Sequence, residues 1–353
     1  MRRAMYWIFD RNDLCNIPAF FYPTTILLID DDKQFLDKIV SVLSRHYKTV
    51  ALNDPKEAVD FLTQREGRSF FRGQKLSKKL HEDILSLRLE TEDKRRFDDI
   101  LISVIDYDMP NTSGFDVMKQ VGLSDYYRKN EHLYILLTAK RASEFDKELA
   151  EDVVGREYIS KYDVNHLEML LTRIAQHTTS MYQKLSHEIA TILAKDEREQ
   201  TSFLNDGNFL PIFNTYLKEH DICEGYLFDR QGSLMLLDNQ ANFHWLFVRN
   251  EKGIVNSIAM AKQYDAPEFI IDKLKSKEYI LSLYEKNDFE KKSPIDWEKY
   301  LLKATLFKDE PLLEVFDHRP SDYYYAFTQY FPNADIKKDK ILSYADFLEK
   351  KQI

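Results

Sequence analysis

The sequence predicts an α/β fold in its first half, a doubly wound parallel sheet of five strands, followed by a long connecting helix and an α+β domain with an antiparallel sheet. Short apolar runs alternate with helical patterns after residue 25. No proline or glycine interrupts the stretch from about 164 to 200, and turn residues join several later strands. We therefore divide the chain into an N-terminal arm (1–24), the α/β domain (25–164), the connecting helix (165–200) and the α+β domain (201–353).

Composition narrows the class of protein before any element is placed. Of the 353 residues, 44% are hydrophobic and 31% are charged, which is typical of a globular protein. The formal net charge of −9 gives no general attraction to nucleic acid or to anionic lipid. Two cysteines, Cys15 and Cys223, exclude a disulfide scaffold and favour a reducing, cytoplasmic location. The uncharged stretch Leu14–Ile29 contains Pro18 and Pro23 and is too short to span a membrane.

The elements of the α/β domain follow from apolar runs and helix signals. Apolar runs typical of buried parallel strands lie at Thr25–Ile29, Ile100–Ile105 and Tyr134–Leu137. Thr49–Leu52 is expected to form a further strand, and Glu157–Ser160 shows a weaker strand pattern. Helical spacing predicts helices over Lys33–Arg45 and Pro55–Gln64, and Asp54 is placed to cap the second of them. A basic stretch at about 65–97 is expected to add a helix, which is either a solvated helix or a docking surface for acidic partners or nucleic acid.

The residues just beyond the strands carry the predicted chemistry. The first strand leads into Asp30 and Asp31, the third into Asp106, the fourth into Thr138 and the fifth into Lys161. Functional groups of a doubly wound sheet gather at the carboxyl ends of its strands. Two carboxylates can hold a hard cation and a third can act as a nucleophile, while the lysine and the hydroxyl share the charge of a phosphoryl group. The pattern predicts a Mg²⁺-assisted phosphoryl site on a carboxylate.

Four stretches resemble the receiver domains of two-component response regulators, namely ILLIDDD (26–32), VIDYDMPNTSG (104–114), YILLTAK (134–140) and EYISK (157–161). The resemblance covers residues 25 to about 176 and implies a CheY-like, flavodoxin-like fold with Mg²⁺ as cofactor. It also implies a sensor histidine kinase or a phosphotransfer protein as partner. It implies no enzyme activity beyond phosphoryl acceptance and slow hydrolysis of the protein's own acyl phosphate.

The same resemblance implies a role for each matching residue. Asp106 would be the phospho-acceptor, and Asp30, Asp31 and the main-chain carbonyl of Asp108 would bind the metal together with Asp106. Lys161 would pair with the phosphate. The remaining matches are the switch hydroxyl of Thr138, the switch aromatic Tyr158 and the turn glycine Gly114.

The connecting helix (165–200) carries residues at alternating spacings of four and three, which is typical of a coiled-coil seam. The seam positions are Leu167, Leu171, Ile174, Thr178, Met181, Leu185, Glu188 and Ile192. We expect a homodimer through this helix, with the alternative that the helix folds back on its own output domain. Within it, LSHEIATIL (185–193) resembles the phospho-accepting box of histidine-kinase dimerisation helices, so a relay role for His187 stays open.

The α+β domain shows a β meander followed mainly by helices. The predicted strands are Gly225–Asp229, Ser233–Leu237, Phe243–Arg249 and Tyr323–Tyr330. The predicted helices are Gly253–Tyr264, Pro267–Leu283, Asp296–Phe307, Pro311–Phe316 and Ser343–Lys350. Aromatic residues on the strands either form the core or line the pocket of a PAS-type or GAF-type sensor; they are Tyr226, Phe228, Trp245, Phe247, Tyr323 and Tyr325.

The sequence is consistent with three hypotheses about the function of this output domain. The layout and the run EGYLFDRQGSLMLLD (224–238) look like the quorum-sensing response regulators of Legionella, which implies regulation of gene expression or quorum sensing. A direct DNA-binding transcription regulator is an alternative, although the acidic composition of residues 201–353 argues against strong attraction to DNA. A sensor of small molecules or nucleotides is the other alternative. The kinase, the target and the direction of regulation are not encoded in any motif.

Overall fold

The computed structural model describes residues 20–21, 24–45, 47–64, 91, 94–98, 100–122, 133–139, 156–161, 166–174, 208–227, 229, 231–282, 295–308, 322–329 and 338–349. They form two large sheets, one parallel and one antiparallel, and a small two-stranded sheet. Among these residues, no helix is both long enough and apolar enough to cross a bilayer.

The first large sheet has five parallel strands in the order β3-β2-β4-β5-β6. The strands are β2 (Thr25–Ile29), β3 (Lys48–Leu52), β4 (Ile100–Asp106), β5 (Leu133–Thr138) and β6 (Arg156–Ser160). The helices are α1 (Lys33–Leu43), α2 (Pro55–Gln64), α3 (Gly114–Gly122) and α4 (residues 166–174). This is the CheY-like receiver fold that the sequence predicted, and each predicted strand is present.

Both faces of this sheet are covered at its central strand β2, which explains why that strand is a continuous apolar run. Ile26 and Leu28 of β2 pack into one core with α1 and α4. Leu27 and Ile29 of the same strand pack into a second core with α2 and α3. Successive side chains of a strand point to opposite faces, so a strand covered on both sides needs apolar residues at every position. The side chain of Asp54 accepts a hydrogen bond from the Lys56 amide at 2.8 Å, as a helix cap does.

The second large sheet is antiparallel, with the order β1-β7-β8-β9-β13-β12. Its strands are β1 (Phe20–Phe21), β7 (Ile222–Leu227), β8 (Leu234–Asp238), β9 (Phe243–Asn250), β12 (Thr305–Lys308) and β13 (Asp322–Thr328). The remaining elements are α5 (Phe209–Glu219), α6 (Glu251–Gln263), α7 (Glu268–Lys275), β10 (Tyr279–Leu281), β11 (Leu301–Lys303) and α8 (Tyr344–Glu349). The antiparallel sheet and its helices confirm the predicted α+β class.

The N-terminal arm contributes a strand to this second sheet. Phe20 pairs with Tyr226, and Phe21 pairs with Gly225, so β1 extends the sheet beyond β7. Only residues 22–24 separate β1 from β2 of the receiver sheet. The receiver sheet is therefore inserted into the sequence of the output sheet rather than placed before it.

One predicted helix of the output domain is shorter than expected, and another is wrong. The helix predicted over Pro267–Leu283 ends at Lys275, because Lys277 adopts a left-handed backbone with φ of 62° and the chain then forms β10. The helix predicted over Asp296–Phe307 is a 3-10 turn at Trp297–Tyr300 followed by β11 and β12. Pairing of these strands with β10 and β13 overrides the local helical pattern. Helix α5 was not predicted, and the predicted helix Pro311–Phe316 lies outside the described residues.

The aromatic residues proposed to line a pocket are core residues where they are described. Tyr226, Trp245, Phe247 and Tyr323 are each at most 1% exposed, and Tyr325 is 8% exposed. All five belong to one hydrophobic cluster that spans the second sheet. Phe228 lies outside the described residues. The observation that favoured a PAS-type or GAF-type pocket is thereby explained by packing.

The described part of the connecting helix belongs to the receiver. Leu170 and Ile174 of α4 are buried in the receiver core, and Leu167 and Leu171 pack against that core. The first three seam positions therefore face the receiver sheet. Residues 175–200, including His187, and most of the basic stretch, residues 65–90, lie outside the described residues, so the coiled coil and the docking surface stay predictions.

Candidate functional site

Three carboxylates meet at the carboxyl ends of two neighbouring strands. Strand β2 leads into Asp30 and Asp31, strand β4 ends at Asp106, and Ile29 pairs with Ile105 just before them. Asp30 and Asp106 are buried, whereas Asp31 is exposed. Each residue offers one carboxylate oxygen, and these three oxygens lie within 4.8 Å of one another. Within the described ranges, this is the group of acidic, histidine or cysteine residues that is close enough to hold a metal ion.

A lysine ammonium joins the two buried carboxylates. Lys161 directly follows β6, and its backbone amide donates to the carbonyl oxygen of Thr138 at 2.7 Å, which ties the loop to the end of β5. The Nζ of Lys161 lies 2.8 Å from Asp30 Oδ2 and 2.9 Å from Asp106 Oδ1. The structure thus brings together four residues that the sequence predicted for the site, although they come from the ends of three different strands.

The electrostatics of the site reflect burial and an excess of negative charge. Burial raises the pKa of Asp30 and Asp106 above the ordinary value of 3.8, although hydrogen bonds from Lys161 act in the opposite direction. Burial alone would lower the pKa of Lys161, but its hydrogen bonds to both carboxylates outweigh this and raise it. One ammonium group thus faces three carboxyl groups, an arrangement that favours a bound cation.

The Asp30-Asp31-Asp32 run divides into three roles, of which one was missed from the sequence. Asp32 is the N-cap of α1, since its Oδ1 accepts hydrogen bonds from the amides of Gln34 at 2.9 Å and Phe35 at 3.1 Å. Asp30 Oδ1 in turn accepts from the Asp32 amide at 2.9 Å. The signal was available, because an aspartate directly before a helical pattern is a common cap.

Glycine is required at position 114 because the backbone there passes very close to the backbone of Asp106. A Cβ atom at this position would lie 2.2 Å from the carbonyl oxygen of Asp106, and the Gly114 amide donates to the carbonyl of Tyr107 at 3.0 Å. Only a residue without a side chain fits there. The turn glycine expected from the resemblance therefore has a steric reason in this chain.

The other predicted site residues lie near this cluster to different extents. Thr138 is buried at the end of β5, next to the residue that pairs with Asp106. Asp108 is exposed, and its backbone amide donates to the Asp106 carboxylate. Tyr158 lies on β6 opposite Leu136. The buried Asp106, and not the exposed Asp108, therefore lies at the centre of the site.

The donor set fits the divalent cation that the fold implies. All three groups within 4.8 Å are carboxylates, which are the hard oxygen ligands that Mg²⁺ prefers. Soft sulfur and imidazole ligands, which would favour zinc or copper, are not part of this group. Asp30, Asp31 and Asp106 are thus the residues that would hold the ion.

Comparison with solved structures extends the similarity beyond the receiver. The response regulator LqsR of Legionella pneumophila superposes on 95% of this chain and on 96% of its own, with a TM-score of 0.68 and 26% sequence identity. Over nearly its whole length, the chain is similar to a response regulator. The resemblance expected from the sequence is confirmed, and it includes the output domain.

Receiver domains match a smaller share of the chain. The chemotaxis protein CheY4 of Vibrio cholerae covers 44% of this chain and 98% of its own, at 16% identity and a TM-score of 0.31. The receiver domain of the Francisella response regulator 1452 covers 46% and 98%, at 18% identity and a TM-score of 0.30. No family model and no curated protein matches the sequence.

Proposed function

We propose that this protein is a two-component response regulator whose receiver domain accepts a phosphoryl group on Asp106. The observation that carries the proposal is the contact of the buried Asp106 carboxylate with Lys161, beside two further carboxylates that can hold Mg²⁺. A buried carboxylate with a cationic partner and a cation site has the chemistry of a phosphoryl acceptor.

The transfer is a displacement at phosphorus. A carboxylate oxygen of Asp106 forms a bond to the phosphorus of a phosphohistidine on a kinase or phosphotransfer protein, while the P–N bond breaks and the imidazole leaves. Lys161 is positioned to follow the negative oxygens of the arriving group, because it already contacts Asp106 Oδ1. Mg²⁺, when bound, neutralises further negative charge on the phosphoryl oxygens. Thr138 ends the neighbouring strand β5 and Tyr158 lies on β6, positions that support the switch roles proposed for them.

The downstream role is proposed from the full-length similarity. LqsR is a response regulator of Legionella pneumophila, and the similarity to it includes the output domain. Together with the resemblance of the run 224–238 to quorum-sensing response regulators, this similarity leads us to infer an output in gene-expression or quorum-sensing regulation, delivered by the α+β domain. Dimerisation through the connecting helix would have to use residues after 174, because the earlier seam positions pack on the receiver core.

Incubation with acetyl phosphate and Mg²⁺ tests the acceptor. Intact-mass measurement should show one acid-labile phosphoryl group on the wild-type protein. Asp106→Asn should abolish it, because an amide oxygen is a poor nucleophile for this transfer. The neighbouring Asp108→Asn should weaken it less, since the main-chain groups of residue 108 survive. Phosphorylation that persists in Asp106→Asn but disappears in Asp108→Asn would reject Asp106 as the acceptor.

A further inference from the structure

The lysine of the site has a third neighbour that is not an acid. The Nζ of Lys161 lies 4.5 Å from the centre of the Phe35 ring. The ring of His166, at the start of α4, stacks with the Phe35 ring at 5.9 Å and an interplanar angle of 25°. A cation within about 6 Å of an aromatic face is attracted by the ring quadrupole. Lys161 is therefore held between two carboxylates and an aromatic ring.

The position of Phe35 is fixed by the same run of acids that forms the site. Phe35 lies in the first turn of α1, and its amide donates to the capping carboxylate of Asp32 at 3.1 Å. The Asp32 amide donates to Asp30 Oδ1 at 2.9 Å, and Asp30 Oδ2 contacts Lys161. A closed series of contacts thus connects the ring, the helix cap, the carboxylate and the ammonium group. The ring is half-buried against the receiver core, which limits its movement.

The ring matters because the ionic partners of Lys161 change during phosphorylation. Asp106 Oδ1, now 2.9 Å from Nζ, belongs to the carboxylate that becomes an acyl phosphate. The lysine must then turn to phosphoryl oxygens, and its four-carbon side chain is flexible. The ring face provides an attraction that does not depend on the charge of Asp106. It also offers no hydrogen-bond acceptor that would compete with the phosphoryl oxygens.

We propose that Phe35 is a positioning residue for phosphoryl transfer, which holds the Lys161 ammonium beside Asp106 through the face of its ring. The proposal rests on the proposed function of the site, because it assigns Phe35 a part in the same reaction. Phe35 acts through Lys161 and does not contact the reacting atoms.

Full-length variants separate this role from packing. Phe35→Leu keeps an apolar side chain but removes the ring, whereas Phe35→Tyr keeps the ring. Phe35→Leu should slow phosphorylation by acetyl phosphate by about 2- to 30-fold, the range expected from the loss of a cation–π contact. It should weaken binding of the phosphoryl mimic beryllofluoride to a similar extent. Phe35→Tyr should stay close to wild type in both measurements. Phe35→Met, another ringless side chain, replaces Phe35→Leu if that variant does not fold.

Two further measurements decide between positioning and a structural effect. Affinity for Mg²⁺ alone, measured by calorimetry, should be unchanged in Phe35→Leu, because the carboxylates that would hold the ion are not altered. In a Lys161→Met background, Phe35→Leu should cause no additional loss of rate, since the group that the ring holds is absent. A rate for Phe35→Leu equal to wild type, or an equal loss in the Lys161→Met background, would overturn the proposal. Failure of the wild-type protein to accept a phosphoryl group would instead reject the proposed function.

Discussion

Two clusters of charged residues lie at opposite ends of the same two receiver strands, and they differ in the balance of positive and negative charge. At the carboxyl ends of β2 and β4, three carboxylates face one lysine. Just before the amino end of β4, Arg96 pairs with Glu224 of the output sheet through two hydrogen bonds of 2.8 Å each. Both side chains of this pair are 0% exposed. One cluster has excess negative charge, and the other has equal opposite charges.

The Arg96–Glu224 cluster is completed by neutral groups from both halves of the chain. Arg96 also donates to the carbonyl of Leu342 at 2.7 Å, and the Tyr226 hydroxyl donates to Glu224 at 2.6 Å. The Thr25 hydroxyl at the start of β2 donates to the carbonyl of Phe97 at 2.7 Å. We call this set of residues the junction, because it joins the receiver sheet to the output sheet.

Aromatic packing surrounds the junction. The Phe97 ring lies 5.3 Å from the ring of Tyr344 and 5.1 Å from that of Phe347, both on α8. Lys48 of β3 lies 5.4 Å from the Phe347 ring and donates to its carbonyl at 3.4 Å. The two clusters differ in the role that their buried charges have. The junction stabilises the structure, whereas the Asp106 site keeps unbalanced charge for chemistry.

Breaking the junction should have the largest effect on stability. Arg96→Met leaves the Glu224 carboxylate buried without its cation, which should lower the free energy of unfolding by about 3–5 kcal/mol. Urea unfolding followed by tryptophan fluorescence measures this. The double variant Arg96→Met, Glu224→Gln should recover part of the loss, because no lone charge remains and Tyr226 keeps an acceptor. A single variant as stable as wild type would show that the junction contributes little.

A side chain added at position 114, next to the Asp106 backbone, should have the next largest effect on stability. Gly114→Ala places a Cβ atom 2.2 Å from the Asp106 carbonyl oxygen, so the backbone must shift. We expect a loss of about 1–3 kcal/mol in the free energy of unfolding, as for other overpacked sites, and slower phosphorylation. Gly225→Ala is the matched control, because its Cβ atom would meet only the flexible end of Leu236 at 3.3 Å. Equal effects of the two changes would contradict the steric explanation.

Removal of the exposed carboxylate should affect the metal without affecting the fold. Asp31→Ala should raise the Mg²⁺ concentration needed for phosphorylation by more than about tenfold, since a hard cation loses one of its few charged ligands. Thermal unfolding without metal should change little, because Asp31 is exposed. Asp60→Ala, which removes an exposed acid on α2, serves as the control. An unchanged Mg²⁺ requirement would remove Asp31 from the site.

Neutralisation of the Asp106 carboxylate should have the smallest effect on stability. It should raise the stability of the folded protein, whereas neutralisation of Arg96 at the junction should lower it. The folded-state pKa values of Asp30 and Asp106 lie above 3.8, so the folded protein retains these protons at higher pH than the unfolded chain. Stability of the metal-free protein should therefore decrease as pH rises from 3.8 through the raised pKa values. Asp106→Asn should raise the Tm of the metal-free protein at pH 7 by a few degrees and flatten this part of the pH profile. A lower Tm would show that the Lys161 ion pair outweighs burial.

The sequence predicted the first half of the molecule better than the second for physical reasons. A parallel strand buried on both faces is apolar at every position, so β2 was predicted with its observed bounds. Helix α2 was also predicted with its observed bounds, because Asp54 and Pro55 mark its start. The strand ends also converge by a general rule, which placed Asp30, Asp106 and Lys161 correctly. In the output domain, β11 and β12 depend on pairing with distant strands, which a local pattern does not encode.

The junction was missed because its partners are far apart in the sequence. Arg96 lies 128 residues from Glu224, and it belongs to a basic stretch that suggested a solvated helix or a docking surface. The structure instead buries Arg96, which pairs with Glu224 of the output sheet. Nothing in the local sequence around a single arginine in a basic stretch indicates that it has a buried partner elsewhere in the chain. The cap at Asp32, by contrast, could have been predicted, because Asp32 directly precedes the helical pattern of α1.

The central claim is that Asp106 is the phospho-acceptor of a response regulator, and chemical trapping tests it most directly. Borohydride reduces an aspartyl phosphate to homoserine, which peptide mass spectrometry locates to a single residue. After treatment with acetyl phosphate and Mg²⁺, we predict homoserine at position 106, because Asp106 is buried beside Lys161 and the other carboxylates. Homoserine at position 108, or none at either position, would contradict the account.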